Sequence, residues 1–139
     1  MVGVVLITHG RLADELISAV KFVVAEKSAV KIEGVCLDTR EEFETFTKKI
    51  KNAIKRVDEG EGILLITDMF GGTPSNVSLT FLEEKKLEVI SGVNLPMLLK
   101  LATLPSKITL DEAVKIAESA GRDNIIVASK LLQKKIPNK

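Results

Sequence analysis

The sequence predicts an α/β fold built on a doubly wound, mainly parallel sheet of four strands with helices on both faces. Two continuous apolar runs, residues 2–7 (VGVVLI) and 62–66 (GILLI), are typical of central strands that helices cover on both sides. Strand-like runs alternate along the chain with segments in which apolar residues recur at steps of three or four, as on one face of a helix. Parallel strands joined by right-handed helical crossovers account for this alternation.

The first half of the chain supplies two strands and two helices. After the first strand, a helical pattern covers residues 12–24, and the second strand, residues 30–37 (VKIEGVCL), follows it. This second strand alternates over its first half, which places it further out in the sheet. The second helical pattern covers residues 43–57, and Thr39 with Glu42 fits a capping box in front of it.

The second half contains two further strands and the start signals of two helices. After the third strand, Thr73 followed by Pro74 fits the N-cap and the first residue of a helix. Residues 87–91 (LEVIS) are the short fourth strand. Thr109 with Glu112 fits another capping box, which predicts a helix from that point.

The end of the chain is less regular. Gly121 falls where the preceding helix should end. Residues 124–128 (NIIVA) are consistent with an extra terminal strand of undetermined direction. The basic ending, residues 130–139, is short and broken by a proline, which favours a solvated and frayed end.

The length and composition of the chain limit the class of protein to which it can belong. The 139 residues suit a single domain covering positions 1–139. Hydrophobic residues make up 45% and charged residues 28%, which excludes disorder, and the net charge of +1 predicts no nucleic-acid partner. The lone Cys36 excludes an internal disulfide, and no apolar run reaches about 18 residues. The short apolar start without a basic segment leads us to expect no export leader. We therefore expect a cytoplasmic protein.

The only histidine, His9, follows the first strand, and Asp68 follows the third. Open α/β sheets bind ligands at the carboxyl ends of strands, where the winding direction reverses. With strand order 2-1-3-4, as in flavodoxin-like sheets, the first and third strands are neighbours. His9 and Asp68 then face one crevice, an inference that depends on the strand order.

This pair suits nucleophilic chemistry. A neutral imidazole attacks an electrophile through one nitrogen if the other keeps its proton, and an acceptor determines which nitrogen is free. Asp68 is the candidate acceptor for His9, and it would also stabilise the ring when the ring becomes cationic, as the aspartate of a catalytic triad does.

Anion-binding groups are expected close to the pair. Gly10 and the glycines Gly71 and Gly72 lie where helices should begin, with free amides and the positive end of the helix dipole, and glycine allows close backbone approach. The Thr73 hydroxyl is a further candidate for phosphoryl oxygens. These residues would hold an anionic group in front of the imidazole.

Each of these residues also has a structural interpretation. His9 taken alone fits a hydrogen-bonded structural histidine slightly better, Asp68 fits a turn or a cap, and the glycine pair fits a tight turn. For Thr73 capping is at least as good an explanation, and Arg11 fits a solvated surface charge. Residues 91–96 (SGVNLP) fit either a last wall of the site or a helix N-terminus.

Several other chemistries do not fit the residues present. One histidine and one cysteine cannot build a typical zinc site. Neither a phosphate-binding P-loop nor a dinucleotide fingerprint occurs in the sequence, and no Gly-x-Ser-x-Gly elbow is present. We expect no cofactor and no metal.

Three segments together resemble the mannose-type (mannose/fructose/sorbose) IIA component of the bacterial phosphoenolpyruvate-dependent sugar phosphotransferase system (PTS). They are residues 8–10 (THG), 68–76 (DMFGGTPSN) and 91–98 (SGVNLPML), and the resemblance covers nearly the whole chain. Three motifs in the right order and spacing are far more specific than any one of them.

The resemblance implies a phosphocarrier. His9 matches the histidine that receives a phosphoryl group from phospho-HPr and passes it to a histidine of the cognate IIB component. Asp68 matches the carboxylate paired with the ring, and Thr73 matches the hydroxyl near the phosphate. The resemblance further implies a cytoplasmic homodimer, which associates with the IIC/IID membrane complex through IIB. Members of the family place a terminal strand on the partner subunit, for which residues 124–128 and those that follow are the candidates.

Other functions remain open from the sequence. Related IIA domains also donate phosphoryl groups to a dihydroxyacetone kinase, and the sequence does not identify a sugar. A non-covalent anion-binding regulatory module would bind its ligand even without the His9 imidazole. A hydrolase would use His9 as general base. Neither of these last two accounts for all three motif segments.

Overall fold

The fold is a four-stranded parallel sheet with helices on both faces. The computed structural model describes residues 1–25, 28–84 and 86–135. The elements in chain order are β1 (Gly3–His9), α1 (Leu12–Val24), β2 (Ile32–Leu37), α2 (Phe43–Val57), β3 (Ile63–Thr67), α3 (Gly72–Leu79), β4 (Leu87–Ser91), α4 (Leu95–Ala102), α5 (Leu110–Asp123) and α6 (Ala128–Lys135). The sheet order is β2-β1-β3-β4, with every neighbouring pair parallel. The predicted fold class and strand order are confirmed.

The sheet separates two hydrophobic cores, which explains the continuous apolar runs of the central strands. In β1 and β3 successive side chains point to opposite faces, so a strand covered on both sides must be apolar throughout. One face packs against α1, α4 and α5, and the other against α2 and α3. The first core contains Val4, Leu6, Leu64, Ile66, Leu98 and Leu101, and the second contains Val5, Ile7, Phe46, Ile50, Leu65 and Val77.

The predicted cap of α2 and the predicted end of α5 are wrong. α2 begins at Phe43 with Glu42 as its N-cap residue and without a side-chain cap, so Thr39 makes no capping box. Gly121 does not end α5, which continues to Asp123, and the Gly121 carbonyl instead accepts a hydrogen bond from Asn94. Half of the capping box at the start of α5 is confirmed, since the Thr109 hydroxyl accepts from the Glu112 amide at 3.1 Å. The Glu112 carboxylate accepts from that hydroxyl at 3.0 Å rather than from the Thr109 amide.

The terminal segment differs from the predicted extra strand. Within the described residues, 124–127 carry no strand and α6 begins at Ala128, so residues 124–128 do not form the fifth strand that their β-branched composition indicates. A strand forms only when a neighbouring edge pairs with its backbone, and composition cannot supply that partner. The predicted frayed end is helical through Lys135, and residues 136–139 lie outside the described residues.

Candidate functional site

His9 and Asp68 stand at the carboxyl ends of two neighbouring strands. β1 ends at His9, and its register with β3 pairs Ile7 with Thr67, so both strands finish at the same edge of the sheet. The Nδ1 atom of His9 lies 2.8 Å from the Oδ2 atom of Asp68. The structure brings this pair together, as the strand order predicts.

Asp68 is held by three hydrogen bonds. Its Oδ2 atom accepts from the backbone amide of His9 at 3.0 Å as well as from the ring, and its Oδ1 atom accepts from the Met69 amide at 3.0 Å. An ionised carboxylate can only accept, so the proton of a neutral His9 ring lies on Nδ1. The lone pair of Nε2 is therefore available.

The charge of Asp68 follows from its surroundings. Burial raises the pKa of this carboxyl, whose side chain is only 12% exposed. The hydrogen bonds from the His9 backbone and ring, the positive charge of that ring when it is protonated, and the hydrogen bond from the Met69 amide act in the other direction. Together they outweigh burial and hold the pKa of Asp68 below its ordinary value. The group is a carboxylate at neutral pH.

The opposite edge of the imidazole faces the start of α3. The His9 side chain is 47% exposed, and a Cβ atom placed on Gly72 would lie 3.2 Å from both Cε1 and Nε2 of the ring. Gly71 and Gly72 have φ angles of 95° and 82°, a region that side chains rarely adopt. Glycine at position 72 therefore permits both the turn and the close approach of Nε2.

The N-terminus of α3 carries no side-chain cap. Gly71 occupies the N-cap position, and Thr73 lies within the first turn, exposed to solvent. The prediction of Thr73 as N-cap is therefore wrong, and its hydroxyl is not used in that way. The first amides of a helix have no intrahelical acceptor, and the helix dipole favours an anion there. This end of α3, beside Nε2, suits an anionic group.

Neither Gly10 nor Arg11, which follow His9 directly, offers a free group to the site. Gly10 has the expected positive φ of 52°, but its amide donates to the Leu37 carbonyl at 3.0 Å. That amide is already used in joining the end of β1 to β2, which corrects the expectation that it is free for phosphate. The guanidinium of Arg11 is 83% exposed and lies 3.6 Å from Glu15, which agrees with a solvated surface charge.

The segment after β4 serves the scaffold. Asn94 is the N-cap residue of α4, where its Oδ1 atom accepts from the Met97 amide at 3.0 Å. Its Nδ2 group donates to the Gly121 carbonyl at 2.9 Å. Of the two interpretations of residues 91–96, the helix N-terminus is the one observed.

Buried hydroxyl groups behind the pair were missed by sequence reasoning. The fully buried Thr8 accepts a hydrogen bond from the Ala13 amide at 2.8 Å, which fixes the start of α1 directly behind His9. Thr67, also fully buried, contacts both Met69 and Ser91. A hydroxyl at the end of an otherwise apolar strand is the signal that could have identified both threonines.

Large apolar side chains are exposed at this edge of the sheet. Met69 and Phe70 follow Asp68 directly, and Leu12 and Phe43 are the first residues of α1 and α2, which begin at the same edge. We call these four residues the apolar rim. Phe70 is 76% exposed, and Phe43, which the helical pattern assigns to the core, is 61% exposed. Exposed apolar patches next to a site often mark contacts with another protein.

Residues 1–25, 28–84 and 86–135 contain neither a cluster of metal ligands nor a membrane-spanning helix. No group of three or more histidine, cysteine, aspartate or glutamate side chains there is arranged to hold a metal ion. In the same part of the chain no helix has the length and apolar character needed to cross a bilayer.

Sequence comparisons find relatives over most of the chain. The family described as "PTS system fructose IIA component" matches residues 3–118. The PTS system fructose-specific EIIA component of Bacillus subtilis (strain 168) is 27% identical over 135 residues, which cover 96% of this chain and 91% of that protein. The PTS system sorbose-specific EIIA component of Lacticaseibacillus casei is 30% identical over 112 residues, 80% and 79% of the two chains.

A longer relative matches in part. The PTS system mannose-specific EIIAB component of Escherichia coli (strain K12) is 29% identical over 126 residues, which cover 89% of this chain but 38% of that protein. The chain thus spans less than half the length of this relative.

Solved structures share the fold. The phosphotransferase system component EIIA of Streptococcus agalactiae superimposes with a TM-score of 0.81 at 22% identity, covering 94% of this chain and 99% of that one. The mannose/sorbose specific IIA subunit of Enterococcus faecalis gives a TM-score of 0.77 at 24% identity, covering 90% and 92%. The four-stranded parallel architecture is common to these proteins.

Proposed function

Since the chain belongs to the PTS fructose IIA component family, we propose that it is a phosphocarrier of the phosphoenolpyruvate-dependent sugar phosphotransferase system. In this proposal His9 accepts a phosphoryl group from phospho-HPr and passes it to a histidine of a IIB component during sugar uptake. The observation that carries the proposal is the 2.8 Å contact between His9 Nδ1 and Asp68 Oδ2, which leaves Nε2 free beside the uncapped start of α3.

The transfer step follows from this geometry. The Nε2 lone pair attacks phosphorus, and the bond between phosphorus and the donor's imidazole nitrogen breaks, leaving its electron pair on the donor ring. The His9 ring becomes cationic as the new P–N bond forms, and the carboxylate of Asp68 stabilises that charge from the Nδ1 side. Transfer to IIB is the same step in reverse, with His9 as the leaving group.

The N-terminus of α3 is a suitable binding site for the phosphoryl oxygens. The amides of its first turn and the helix dipole favour the anionic group, and the exposed hydroxyl of Thr73 lies in that turn. Gly72 keeps the backbone close to Nε2. These features support phosphoryl transfer over general-base hydrolysis, because the anion and the nucleophile meet at one point.

Gly71 and Gly72 offer a matched test of this binding site. Gly72→Ala places a methyl group 3.2 Å from Nε2, whereas Gly71→Ala meets no atom within 4 Å although both positions have positive φ. Both variants should lose about 1–3 kcal/mol of folding free energy, because side chains rarely adopt the positive-φ backbone conformation at either position. We expect only Gly72→Ala to slow phosphoryl uptake, by about tenfold or more, because it displaces the reacting groups. Rapid-quench kinetics with phospho-HPr compare the two variants. Equal rates of phosphoryl uptake would refute the proposed binding site at the start of α3.

The apolar rim is the proposed contact surface for both partner proteins. Both the donor and the acceptor must bring a histidine to the exposed edge of the His9 ring, so one surface has to serve both. Phe70 adjoins the site and has the large, exposed side chain typical of interface anchors. Reuse of one surface also prevents donor and acceptor from binding together.

We also propose that the chain forms a cytoplasmic homodimer that reaches the IIC/IID membrane complex through IIB. β4 is an edge strand of the sheet, and the groove beside it has a volume of about 350 Å³ and includes Ile125 in its wall. Ile125, Ile126 and Val127 are 75%, 55% and 53% exposed. An uncovered edge next to an exposed apolar segment favours burial against a second copy.

A charge at the terminal segment should disrupt that dimer. We expect wild-type protein to sediment as a dimer and Ile126→Asp as a folded monomer, because the carboxylate would have to be buried in the interface. Phe22→Asp is the matched control, since Phe22 is 89% exposed on α1 and lies outside the segment. Sedimentation velocity distinguishes these species, and a dimeric Ile126→Asp or a monomeric wild type would contradict the proposed interface.

The proposed function is tested by supplying the series of phosphoryl donors that acts before this protein. The protein is incubated with phosphoenolpyruvate, enzyme I and HPr, and intact mass spectrometry then counts the acid-labile phosphoryl groups on it. We expect one per chain, lost again on addition of a cognate IIB. A folded protein that takes up none from a cognate HPr would contradict the proposal.

A further inference from the structure

Two hydroxyl groups lie directly behind the loop that carries Asp68. Thr67 and Ser91 are the last residues of β3 and β4, and the sheet register places them opposite each other. The Oγ1 atom of Thr67 lies 2.7 Å from the Oγ atom of Ser91 and 3.2 Å from the carbonyl oxygen of Met69. Thr67 is fully buried and is the only polar residue of β3.

The protons of these contacts can be assigned from the chemistry of the groups. A hydroxyl has one proton to donate, and a carbonyl has none. Both contacts are satisfied together only if Ser91 donates to Thr67 and Thr67 donates to the Met69 carbonyl. The three groups then form a short chain of hydrogen bonds from β4 to the loop after β3.

This chain of hydrogen bonds holds the peptide groups on both sides of Met69. The Met69 amide donates to Asp68 Oδ1 at 3.0 Å, and its carbonyl is the acceptor for Thr67. The Thr67 carbonyl in turn accepts from the amides of Gly92 and Val93 at 3.0 and 3.2 Å. The loop is therefore fastened on either side of the carboxylate that contacts His9.

We propose that the Thr67 hydroxyl, supported by Ser91, is a positioning group for the phosphoryl-transfer site. By fixing the Met69 peptide it holds Asp68 at the distance and angle that keep the His9 proton on Nδ1 and the lone pair on Nε2. Thr67 touches neither the ring nor the phosphoryl group and acts through Asp68. The kinetic part of this inference rests on the proposed function, whereas the part on the His9 proton does not.

The test uses a variant that keeps the shape of the side chain. Thr67→Val removes the hydroxyl and leaves both branches, Thr67→Ser restores the hydroxyl, and Ser91→Ala removes only the supporting donor. Thr80→Val is the matched control, because Thr80 donates to the Val77 carbonyl at 2.6 Å, at the far end of α3. Thermal unfolding confirms that each variant is folded.

The first measurement is the tautomer of His9. Because the chain has one histidine, labelling with ¹⁵N-histidine gives the ring signals of His9 alone. We expect Thr67→Val to raise the fraction of ring carrying its proton on Nε2, with a smaller rise in Ser91→Ala and none in Thr67→Ser or Thr80→Val. Wild-type ring signals in a folded Thr67→Val would overturn the inference, and if that variant does not fold, wild-type signals in Ser91→Ala would do so.

The second measurement is the transfer rate. Loss of an outer-shell partner at metal sites costs about 10–100-fold, and we expect Thr67→Val to lower kcat for phosphoryl uptake about tenfold while KM for phospho-HPr stays unchanged. A change in KM alone would mean that the substitution affects binding of phospho-HPr at the apolar rim, and it would overturn the inference. If the wild type takes up no phosphoryl group, the proposed function fails, but the ring signals still decide whether Thr67 positions Asp68.

Discussion

Replacing His9 with alanine is expected to abolish phosphoryl uptake. The chain has one histidine, and its Nε2 atom is the nucleophile in the proposed transfer, so no other imidazole can form the acid-labile bond to phosphorus. Intact mass spectrometry after incubation with phosphoenolpyruvate, enzyme I and HPr should show one phosphoryl group on the wild type and none on His9→Ala. The loss should be complete rather than partial.

The control for this variant is Arg11→Ala. Arg11 lies two residues from His9 with an 83% exposed side chain, paired only at 3.6 Å with Glu15. Such a pair contributes little to stability, and we expect normal uptake in this variant. Phosphorylation of a folded His9→Ala at the wild-type level would contradict the assignment of His9.

Replacing Asp68 with asparagine is expected to slow transfer by at least about a hundredfold with the fold preserved. The same exchange in a serine protease triad costs about 10⁴ in rate, because the amide supports the wrong tautomer. At this site an amide can donate to Nδ1 and leave the proton on Nε2, and a neutral group cannot stabilise the cationic ring. The lowered pKa of Asp68 means that the wild type carries the full charge at neutral pH.

Rapid-quench kinetics with phospho-HPr measure this effect. Asp38→Asn is the matched control, since Asp38 lies just after β2 and its Oδ1 atom accepts only from the Arg40 amide at 3.0 Å, a bond that an asparagine oxygen can keep. We expect this control to transfer at the wild-type rate. An Asp68→Asn variant as fast as the control would remove the proposed role of the carboxylate.

The strands and helices could be predicted from local signals, and the pairing of His9 with Asp68 from the strand order that those elements favour. The unbroken apolar runs of β1 and β3 required cover on both faces, and the winding reversal between them placed His9 and Asp68 at one edge. Long helices such as α2 were located correctly from their apolar periodicity alone. The two side chains that matter most are separated by 59 positions in the sequence yet could be paired from strand order.

The features that were predicted wrongly or missed depend on tertiary contacts, which sequence patterns do not contain. The amide of Gly10 is used by the Leu37 carbonyl, which only the pairing of β1 with β2 reveals. Thr73 follows a glycine pair whose positive φ angles start α3 before the predicted cap. The segment 124–127 has strand composition without a partner in the described residues. Thr67 looked like the end of an apolar strand, and only the register with Ser91 shows its neighbours.

In the proposed function, Asp68 keeps the proton on Nδ1 so that Nε2 of His9 carries the phosphoryl group. The most direct measurement is ¹⁵N and ³¹P NMR of protein labelled with ¹⁵N-histidine and phosphorylated through HPr, which reports which ring nitrogen is bonded to phosphorus. We predict phosphorus on Nε2 and a proton on Nδ1. Phosphorus on Nδ1, or a phosphorylated protein whose ring nitrogens show no bond to phosphorus, would contradict the account.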